Sequence, residues 1–382
     1  MPPADSNHDL IAAREAVLLA PYAMHSIESA GRKHVEPQHS YRGPYQRDRD
    51  RILHSAAFRR LSYKTQVFTG EFGDYHRSRL THTLEAASIA RTLGRALRLN
   101  EDLIEALVLM HDIGHPPFGH SGEDVLHECL QNEGGFSHNR QALRIVEELE
   151  RRYPDFPGLN LSLEVLAGQQ SRTEKLSTKQ RPLLEAQVVD AADSIAYDTH
   201  DADDALQLGL LTLDELLELP LWCEAAGRVL NRYYDLSGAE LRRAVLHELI
   251  DWQVGDLLTR AEQRLARGDI KTVADVRQAE PIITPDRELA TKKIELEKFL
   301  HARVYRHPRV LQMRTECQGM LREMFHRFVG EPTLLPESFL ARVPLVGLAR
   351  TVADYLAGMT DRFLQHEYAR LWKTPRLDAG QG

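Results

Sequence analysis

The sequence has few of the features that mark secreted, disulfide-bonded or membrane proteins. It contains only three cysteines among 382 residues, too few and too scattered for a disulfide framework or a paired zinc site. No run approaches the roughly 18 uninterrupted apolar residues that a membrane span needs. The N-terminus lacks the basic flank and apolar stretch of a signal peptide. We therefore expect a soluble protein of a reducing, cytoplasmic compartment, with no membrane partner.

Alternating strand patterns are also scarce, and helical periodicity dominates. One amphipathic stripe, with spacings of three and four residues, consists of His82, Ala86, Ile89, Leu93 and Leu97. A second consists of Ile104, Leu107, Val108 and His111, before Gly114 and two prolines end it. We predict an all-α protein of about fifteen helices, with at most a small β-hairpin at 67–75.

Length and helix pattern predict one large helical core with additions at both ends. We expect an N-terminal extension at 1–44, a core at 45–210, and a helical C-terminal part at 211–382 packed on the core. Two local expectations concern helix ends. Residues 121–124 resemble a capping box, and 351–372 reads as one continuous helix.

Positive charge is missing from one stretch of the sequence, and negative charge is scarce in another. Residues 183–227 contain no Lys or Arg but many carboxylates, whereas residues 32–64 are strongly basic. The ordinary explanation is a pair of solvated faces that neutralise each other. The alternative is an anion-binding wall and a metal-binding wall that face one cleft, since phosphates need cations and metals need carboxylates.

Histidine and aspartate occur together where the second stripe ends. His111 and Asp112 are adjacent at a helix end, and both can reach one cation. Imidazole with carboxylate suits Mn, Fe, Co, Ni or Zn. His82 and Asp193 would complete four ligands from three helices, with the remaining positions left for water or a substrate oxygen.

The order of these residues resembles the HD-domain metal-dependent phosphohydrolase superfamily. The flanking text is more specific and is similar to the bacterial deoxyguanosinetriphosphate triphosphohydrolase-like proteins. The blocks that carry the resemblance are RDRDRILHSAAFRRLSYKTQVF (47–68), RSRLTHTLE (77–85), HDIGHPPFGHSGE (111–123), FSHNRQALRIVE (136–147), DAADSIAYDTHDADDAL (190–206) and DYLAGMTDRFLQHEY (354–368).

The resemblance implies an HD-type helical fold and a single divalent ion, Mn, Mg, Fe, Co or Ni, held by His82, His111, Asp112 and Asp193. It implies hydrolysis of a deoxynucleoside triphosphate, dGTP or another dNTP, to deoxynucleoside and tripolyphosphate. His120 would be the general acid or base. Glu123 would hold its imidazole in a useful tautomer.

The resemblance also implies substrate-binding residues and partners. Arg79 and His138 match positions that contact the triphosphate, while Tyr197, Asp201 and Gln66 match positions around the deoxyribose. The family assembles into tetramers or hexamers, so we expect a homo-oligomer. The basic stretch at 32–64 suggests a regulatory dNTP or single-stranded DNA as further partners.

Two other functions stay open from the sequence. One is a different HD chemistry, such as a nucleotide phosphodiesterase or nucleotidase, against which the pair His120 and Glu123 argues. The other is a regulator that binds nucleotides or single-stranded nucleic acid and carries a vestigial site. Retention of every expected ligand argues against that second function.

Overall fold

The computed structural model describes residues 5–66, 77–173 and 181–373, and these residues form helices and connecting turns. Within these ranges the only β pairing is three isolated bridges, for example between Arg32 and Ser162. The all-α prediction is confirmed. The expected hairpin at 67–75 lies outside the described residues.

The helices fall into three groups along the chain. The N-terminal group comprises α1 (Asp5–Leu18), α2 (Pro44–Leu53) and α3 (Ala56–Arg60). The central group comprises α4 (Arg79–Ala96), α5 (Glu101–Met110), α6 (His120–Cys129), α7 (His138–Arg144), α8 (Leu163–Ser171) and α9 (Leu184–Gln207). The C-terminal group comprises α10 (Leu213–Leu217), α11 (Pro220–Arg232), α12 (Gly238–Arg267), α13 (Val273–Gln278), α14 (Arg287–Arg303), α15 (Pro308–Gly330), α16 (Glu337–Leu340), α17 (Val343–Val346), α18 (Leu348–Ala357) and α19 (Asp361–Lys373).

Helix α4 lies at the centre of the core and packs against both α5 and α9. Its first turn is fixed by a capping box in which Ser78 and Thr81 bond reciprocally. Asn100 caps α5 through the backbone N–H of Leu103. The apolar stripes of α4 and α5 predicted from the sequence are buried. Their periodicity therefore identified the core-facing sides of both helices correctly.

Buried apolar side chains form three clusters. The first surrounds α4, α5 and α9, and it also takes Ala23, Leu257 and Ile282 from the two ends of the chain. The second, around Trp222, joins α11, α12 and α14. The third joins α6, α15 and α18. Because the first cluster draws on all three predicted segments, the C-terminal helices are packed on the core, whereas the segment boundaries themselves stay a prediction.

Two expectations about helix ends are wrong. Helix α6 begins at His120, so Ser121 lies inside its first turn and no side chain caps it, while the Asp124 carboxylate pairs with Arg314. The continuous helix expected at 351–372 is divided into α18 and α19 at residues 358–360. Ending α18 at Ala357 leaves the carbonyl of that residue free for another donor.

That donor is Lys64, which ties the C-terminal helices to the core. Its buried Nζ donates to the carbonyls of His115 (2.5 Å) and Ala357 (2.9 Å). Burial lowers the pKa of Lys64 to about 7. The Asp361 carboxylate accepts hydrogen bonds from the backbone N–H groups of Thr65 and Phe118, both at 2.9 Å. Residues 64–65, 115–118 and 357–361 are therefore held together by buried or half-buried polar contacts.

Gly114 allows the chain after α5 to approach the start of α7. A Cβ at this position would lie 2.0 Å from the His138 carbonyl oxygen and 2.5 Å from the Ala142 nitrogen, both backbone atoms. We expect Gly114→Ala to lower the free energy of unfolding by about 1–3 kcal/mol or more, because neither neighbour can move alone. Chemical denaturation measures the change.

Gly227→Ala is the matched control for this substitution. Gly227 lies inside α11, and a Cβ there meets no atom within 4 Å. Alanine should stabilise this helix by about 0.5–1 kcal/mol. Equal effects of the two substitutions would contradict the assigned close approach.

Candidate metal and acid–base site

The four predicted ligands lie together between α4, α5 and α9. His82 is on α4, His111 ends α5, Asp112 follows it, and Asp193 is on α9. Asp193 Oδ1 lies 3.1 Å from His82 Nε2 and 3.5 Å from His111 Nε2. His111 Nε2 is also 3.4 Å from Asp112 Oδ1. Three helices thus bring His82, His111 and Asp193 to one point, with the Asp112 carboxylate beside His111.

The donor atoms fit a divalent cation. His111 Nδ1 donates to the Val108 carbonyl at 2.6 Å, so Nε2 is the nitrogen left to face a ligand; burial opposes a proton on this ring, but Asp112 and Asp193 outweigh it and raise the pKa of His111. That buried Nε2 has no hydrogen-bond partner and faces the carboxylate oxygens. Ligand atoms of His82, His111 and Asp193 lie within 4.8 Å of one another. An imidazole nitrogen and carboxylates directed at one point are what a metal ion would satisfy.

Both carboxylates stay ionised in this environment. Burial alone would raise the pKa of Asp193, but His111, His82 and Arg172 together lower it well below its ordinary value. Burial likewise opposes ionisation of Asp112, and His111, His115 and Arg79 outweigh it. Anionic oxygens and neutral imidazoles are the forms that bind a cation.

Three further side chains orient these ligands, and only Arg79 was selected from the sequence. Arg79 is buried and pairs with Asp112 at 2.9 Å. Arg172, at the end of α8, lies 3.2 Å from Asp193. His200 Nδ1 lies 3.3 Å from His82 Nδ1. The carboxylates therefore have arginine partners, and the His82 ring faces a second imidazole.

A second group of titratable side chains adjoins the first. Glu123 accepts hydrogen bonds from His120 Nδ1 at 3.1 Å and from His138 Nδ1 at 2.9 Å. His115 stacks on His138 with ring centroids 3.8 Å apart, and its Nδ1 lies 3.1 Å from Asp112 Oδ1. His115 thus links the acid–base group to the candidate metal ligands.

Glu123 and His115 have strongly displaced pKa values. Burial opposes ionisation of Glu123, but the hydrogen bonds from His120 and His138 outweigh it and lower the pKa of Glu123 strongly. Burial, together with Arg79 and His138, lowers the pKa of His115 well below its ordinary value. Glu123 is therefore a carboxylate and His115 a neutral ring at neutral pH.

The remaining predicted residues lie further along α9 and beside α4. Tyr305, at the end of α14, donates to the Asp201 carboxylate and lies 2.6 Å from the Tyr197 hydroxyl. Burial raises the pKa of Asp201 to about 8. Gln66 is buried, and its backbone carbonyl accepts from Arg79 at 3.1 Å. Its side-chain Oε1 has no hydrogen-bond partner.

The sequence carried a signal for some of the residues that our reasoning missed. His200 lies seven residues after Asp193 on α9, so helical spacing alone would have placed it on the ligand face. Arg172 follows the end of α8 and lies 21 residues before Asp193, and Tyr305 is 104 residues from Asp201. No local pattern indicates either of those two.

Most of the basic stretch at 32–64 is engaged inside the chain. Its arginines form ion pairs that agree with the ordinary explanation given above: Arg32 with Asp48, Arg42 with Asp50, Arg47 and Arg51 with Glu36, and Arg49 with Asp102 and Glu105. Few of these charges remain for an external polyanion.

Comparison with known proteins agrees with this arrangement. Residues 79–198 match the model of the HD domain, and residues 283–370 match that of the phosphohydrolase-associated domain. A deoxyguanosinetriphosphate triphosphohydrolase-like protein of Thiobacillus denitrificans is 43% identical over 94% of this chain and 98% of its own. The counterpart in Geobacter metallireducens is 43% identical over 93% and 95%. The chain belongs to this family.

Membership makes the chain an HD-domain phosphohydrolase, a metal-dependent class. A relative with the same description in Ralstonia nicotianae is 40% identical over 93% of the chain. A solved structure of a hypothetical protein from Aquifex aeolicus aligns with 86% of the chain, with 16% identity and a TM-score of 0.41. Among the described residues, no helix has both the length and the hydropathy of a membrane span.

His200 provides a test of how the His82 ring is held. We expect His200→Ala to weaken divalent-metal binding by about 10–100-fold, because the partner that orients a ligand imidazole contributes to affinity on that scale. Titration calorimetry with Mn²⁺ measures the dissociation constant. His247→Ala, an exposed histidine on α12, is the control. Unchanged affinity in His200→Ala would contradict the orienting contact.

Asp201 predicts a pH dependence of stability. Its pKa is about 3.9 in an unfolded chain and about 8 in the folded protein. Between these values the folded state binds more protons, so this group makes the free energy of unfolding fall as pH rises from about 4 to about 8. Asp201→Asn should make that decline shallower in urea denaturation between pH 5 and 8.

The control for this effect is Asp251→Asn, which changes an exposed carboxyl on α12. It should leave the pH dependence of the wild-type protein intact. Parallel stability curves for wild type and Asp201→Asn would show that Asp201 ionises normally in the folded protein.

Proposed function

We propose that this protein hydrolyses deoxynucleoside triphosphates to deoxynucleoside and tripolyphosphate. One divalent ion would be held by His82, His111, Asp112 and Asp193. When bound there, such an ion acts as a Lewis acid that offsets charge developing on the α-phosphate. The observation that carries the proposal is the acid–base group of His120, Glu123 and His138 directly beside the metal ligands.

His120 is the proposed proton-transfer residue. Its side chain is 67% exposed, whereas that of Glu123 is 17% exposed, so the imidazole can meet a substrate while its partner is shielded. Because Nδ1 is bonded to Glu123, Nε2 is the nitrogen available for the reaction. It would protonate the departing 5′-oxygen or deprotonate the attacking water, and both directions use the same nitrogen.

The triphosphate would lie along Arg79 and His138. His138 is fixed by two contacts with Glu123, from its backbone N–H and from its ring Nδ1, both at 2.9 Å. Arg79 is tied to Asp112, which supports a role in holding that ligand as well as in attracting phosphate oxygens. Gly119, with a φ of +56°, leaves room for the Arg79 guanidinium, since a Cβ there would lie 2.5 Å from Nη2.

The deoxyribose would be framed by Tyr197, Asp201 and Gln66. The hydrogen bonds of Tyr305 to Tyr197 and Asp201 support this role, because they set the directions of both polar groups. The Gln66 Oε1 and Asp201 Oδ1 atoms are buried without partners. Such acceptors suit a sugar hydroxyl, and a tyrosine ring against C2′ would exclude a 2′-hydroxyl by contact.

Cytoplasmic location stays a proposal from the sequence. A tetramer or hexamer stays a proposal from the family resemblance, and an allosteric dNTP or single-stranded DNA stays a proposal from the basic stretch at 32–64. The internal ion pairs of the 32–64 stretch do not favour the last of these. If DNA binds, its affinity should fall steeply with salt.

Product analysis tests the reaction. The protein is incubated with each of the four dNTPs, singly and mixed, with Mn²⁺ or Mg²⁺, and the products are separated by ion exchange. We expect deoxynucleoside and tripolyphosphate in equal amounts. Deoxynucleoside monophosphate with pyrophosphate would contradict the proposal and favour another HD-type chemistry. Turnover only in mixtures would indicate allosteric activation.

His120→Ala separates chemistry from binding. We expect it to keep metal and substrate binding but to lower turnover by about 10²–10⁴-fold, the range for loss of a general acid or base. His326→Ala, an exposed histidine on α15, is the control. Full activity of His120→Ala would remove His120 from the mechanism.

A further inference from the structure

A cleft apart from the candidate active site lies between the core and the C-terminal helices. It has a volume of about 600 Å³, within the range of small-molecule sites. One wall is formed by α3, α7 and the turn after α7, and the other by α16, α18 and the start of α19. The residues assigned above to metal, substrate and acid–base chemistry do not line it.

Arg60 is the unusual residue of this cleft. It is half-buried at the end of α3 and forms no hydrogen bond or ion pair with any described residue. Its Nε is fully shielded and has no partner. Burial, with the nearby Arg59, lowers the pKa of Arg60, and Glu150 opposes this change. A charged guanidinium that has so few hydrogen bonds and ion pairs is costly to remove from water unless an anion binds to it.

The other charged groups of the cleft are already engaged or exposed. Asp354 is paired with Arg144 at 2.5 Å. Glu150 accepts the backbone N–H of Ala57 at 2.7 Å. Arg151 is exposed at the rim. Arg60 is therefore left without an ion pair among the described residues, although the Glu150 carboxylate partly offsets its charge.

Most of the rest of the lining is apolar and aromatic, with Gln141 and Thr360 as polar exceptions. Phe339 and Tyr355 pack with ring centroids 5.0 Å apart, and Leu149, Met359 and Phe363 complete the surface. Flat apolar walls beside a single cation suit a molecule with an acid group at one end and an aromatic body. Neither water nor a free inorganic anion would use both features.

We propose that this cleft binds a small aromatic anion, with its acid group on Arg60 and its body against Phe339 and Phe363. This site is independent of the proposed hydrolytic function. Carboxylate and phosphate ligands share the required chemistry, and competition separates them.

The test is a fluorescence titration of the full chain with 8-anilinonaphthalene-1-sulfonate as the probe. We expect one dye per chain, and about tenfold or more weaker binding in Arg60→Gln, because a charge-assisted contact is lost. Arg59→Gln is the matched control, since Arg59 is the exposed neighbour on the same helix. N-phenyl-1-naphthylamine, which lacks the sulfonate, should bind wild type and Arg60→Gln alike.

Phe339→Ala provides a second variant, on the opposite wall. It should lower the affinity for the dye without changing the charge of the cleft. Displacement by phenyl phosphate or by benzoate identifies the preferred acid group. Dye binding should persist in Asp193→Ala, in which the candidate metal site is disrupted. Wild-type affinity in both Arg60→Gln and Phe339→Ala, or no dye binding to the wild type, would overturn the proposal.

Discussion

Two carboxylates, Asp112 buried and Asp193 partly exposed, face two imidazoles, and this arrangement is the constraint around which the core is organised. An ionised carboxylate inside a protein is costly unless it is paired and hydrogen-bonded. Asp112 meets Arg79 on one side, and Asp193 meets Arg172 on another. Each arginine neutralises its carboxylate from outside the ligand cluster, so the oxygens between the helices remain available. This balance of charge depends on the positions of α4, α8 and α9.

The same constraint extends into the acid–base group. Asp112 contacts His115, His115 stacks on His138, and His138 shares Glu123 with His120. This continuous series joins a candidate metal ligand to the exposed imidazole. Movement of α6 or α7 would therefore disturb both the carboxylate proposed to bind the cation and the histidine proposed to meet the substrate.

The sequence predicted those site residues that lie on one face of a single helix or next to each other in the chain. His82 continues an apolar stripe, and Asp193, Tyr197 and Asp201 follow one row of α9. Helical geometry makes such residues neighbours whatever the rest of the chain does. The ligand set was predicted from the residues and is also implied by the family resemblance, whereas the roles of His120 and Glu123 came from the resemblance; the ligand set and these roles stay predictions.

Sequence patterns did not predict the contacts between distant segments. Tyr305 reaches Asp201 only because α14 packs beside α9, and Arg172 reaches Asp193 only because α8 ends there. Gly358 marks the break between α18 and α19 in the sequence. The contact that the break allows, from Lys64 Nζ to the Ala357 carbonyl, joins residues 293 positions apart. Tertiary packing decides such pairs, and no local pattern encodes them.

The contacts of residues 357 and 361 bear on where the chain can be cut. An excised fragment ending near residue 198, where the match to the HD domain stops, would keep the contact of Lys64 with the His115 carbonyl but lose its second acceptor, the Ala357 carbonyl. Thr65 and Phe118 would each lose the partner of a backbone N–H group. The catalytic segment is thus not a self-sufficient module, and the C-terminal helices are part of its scaffold.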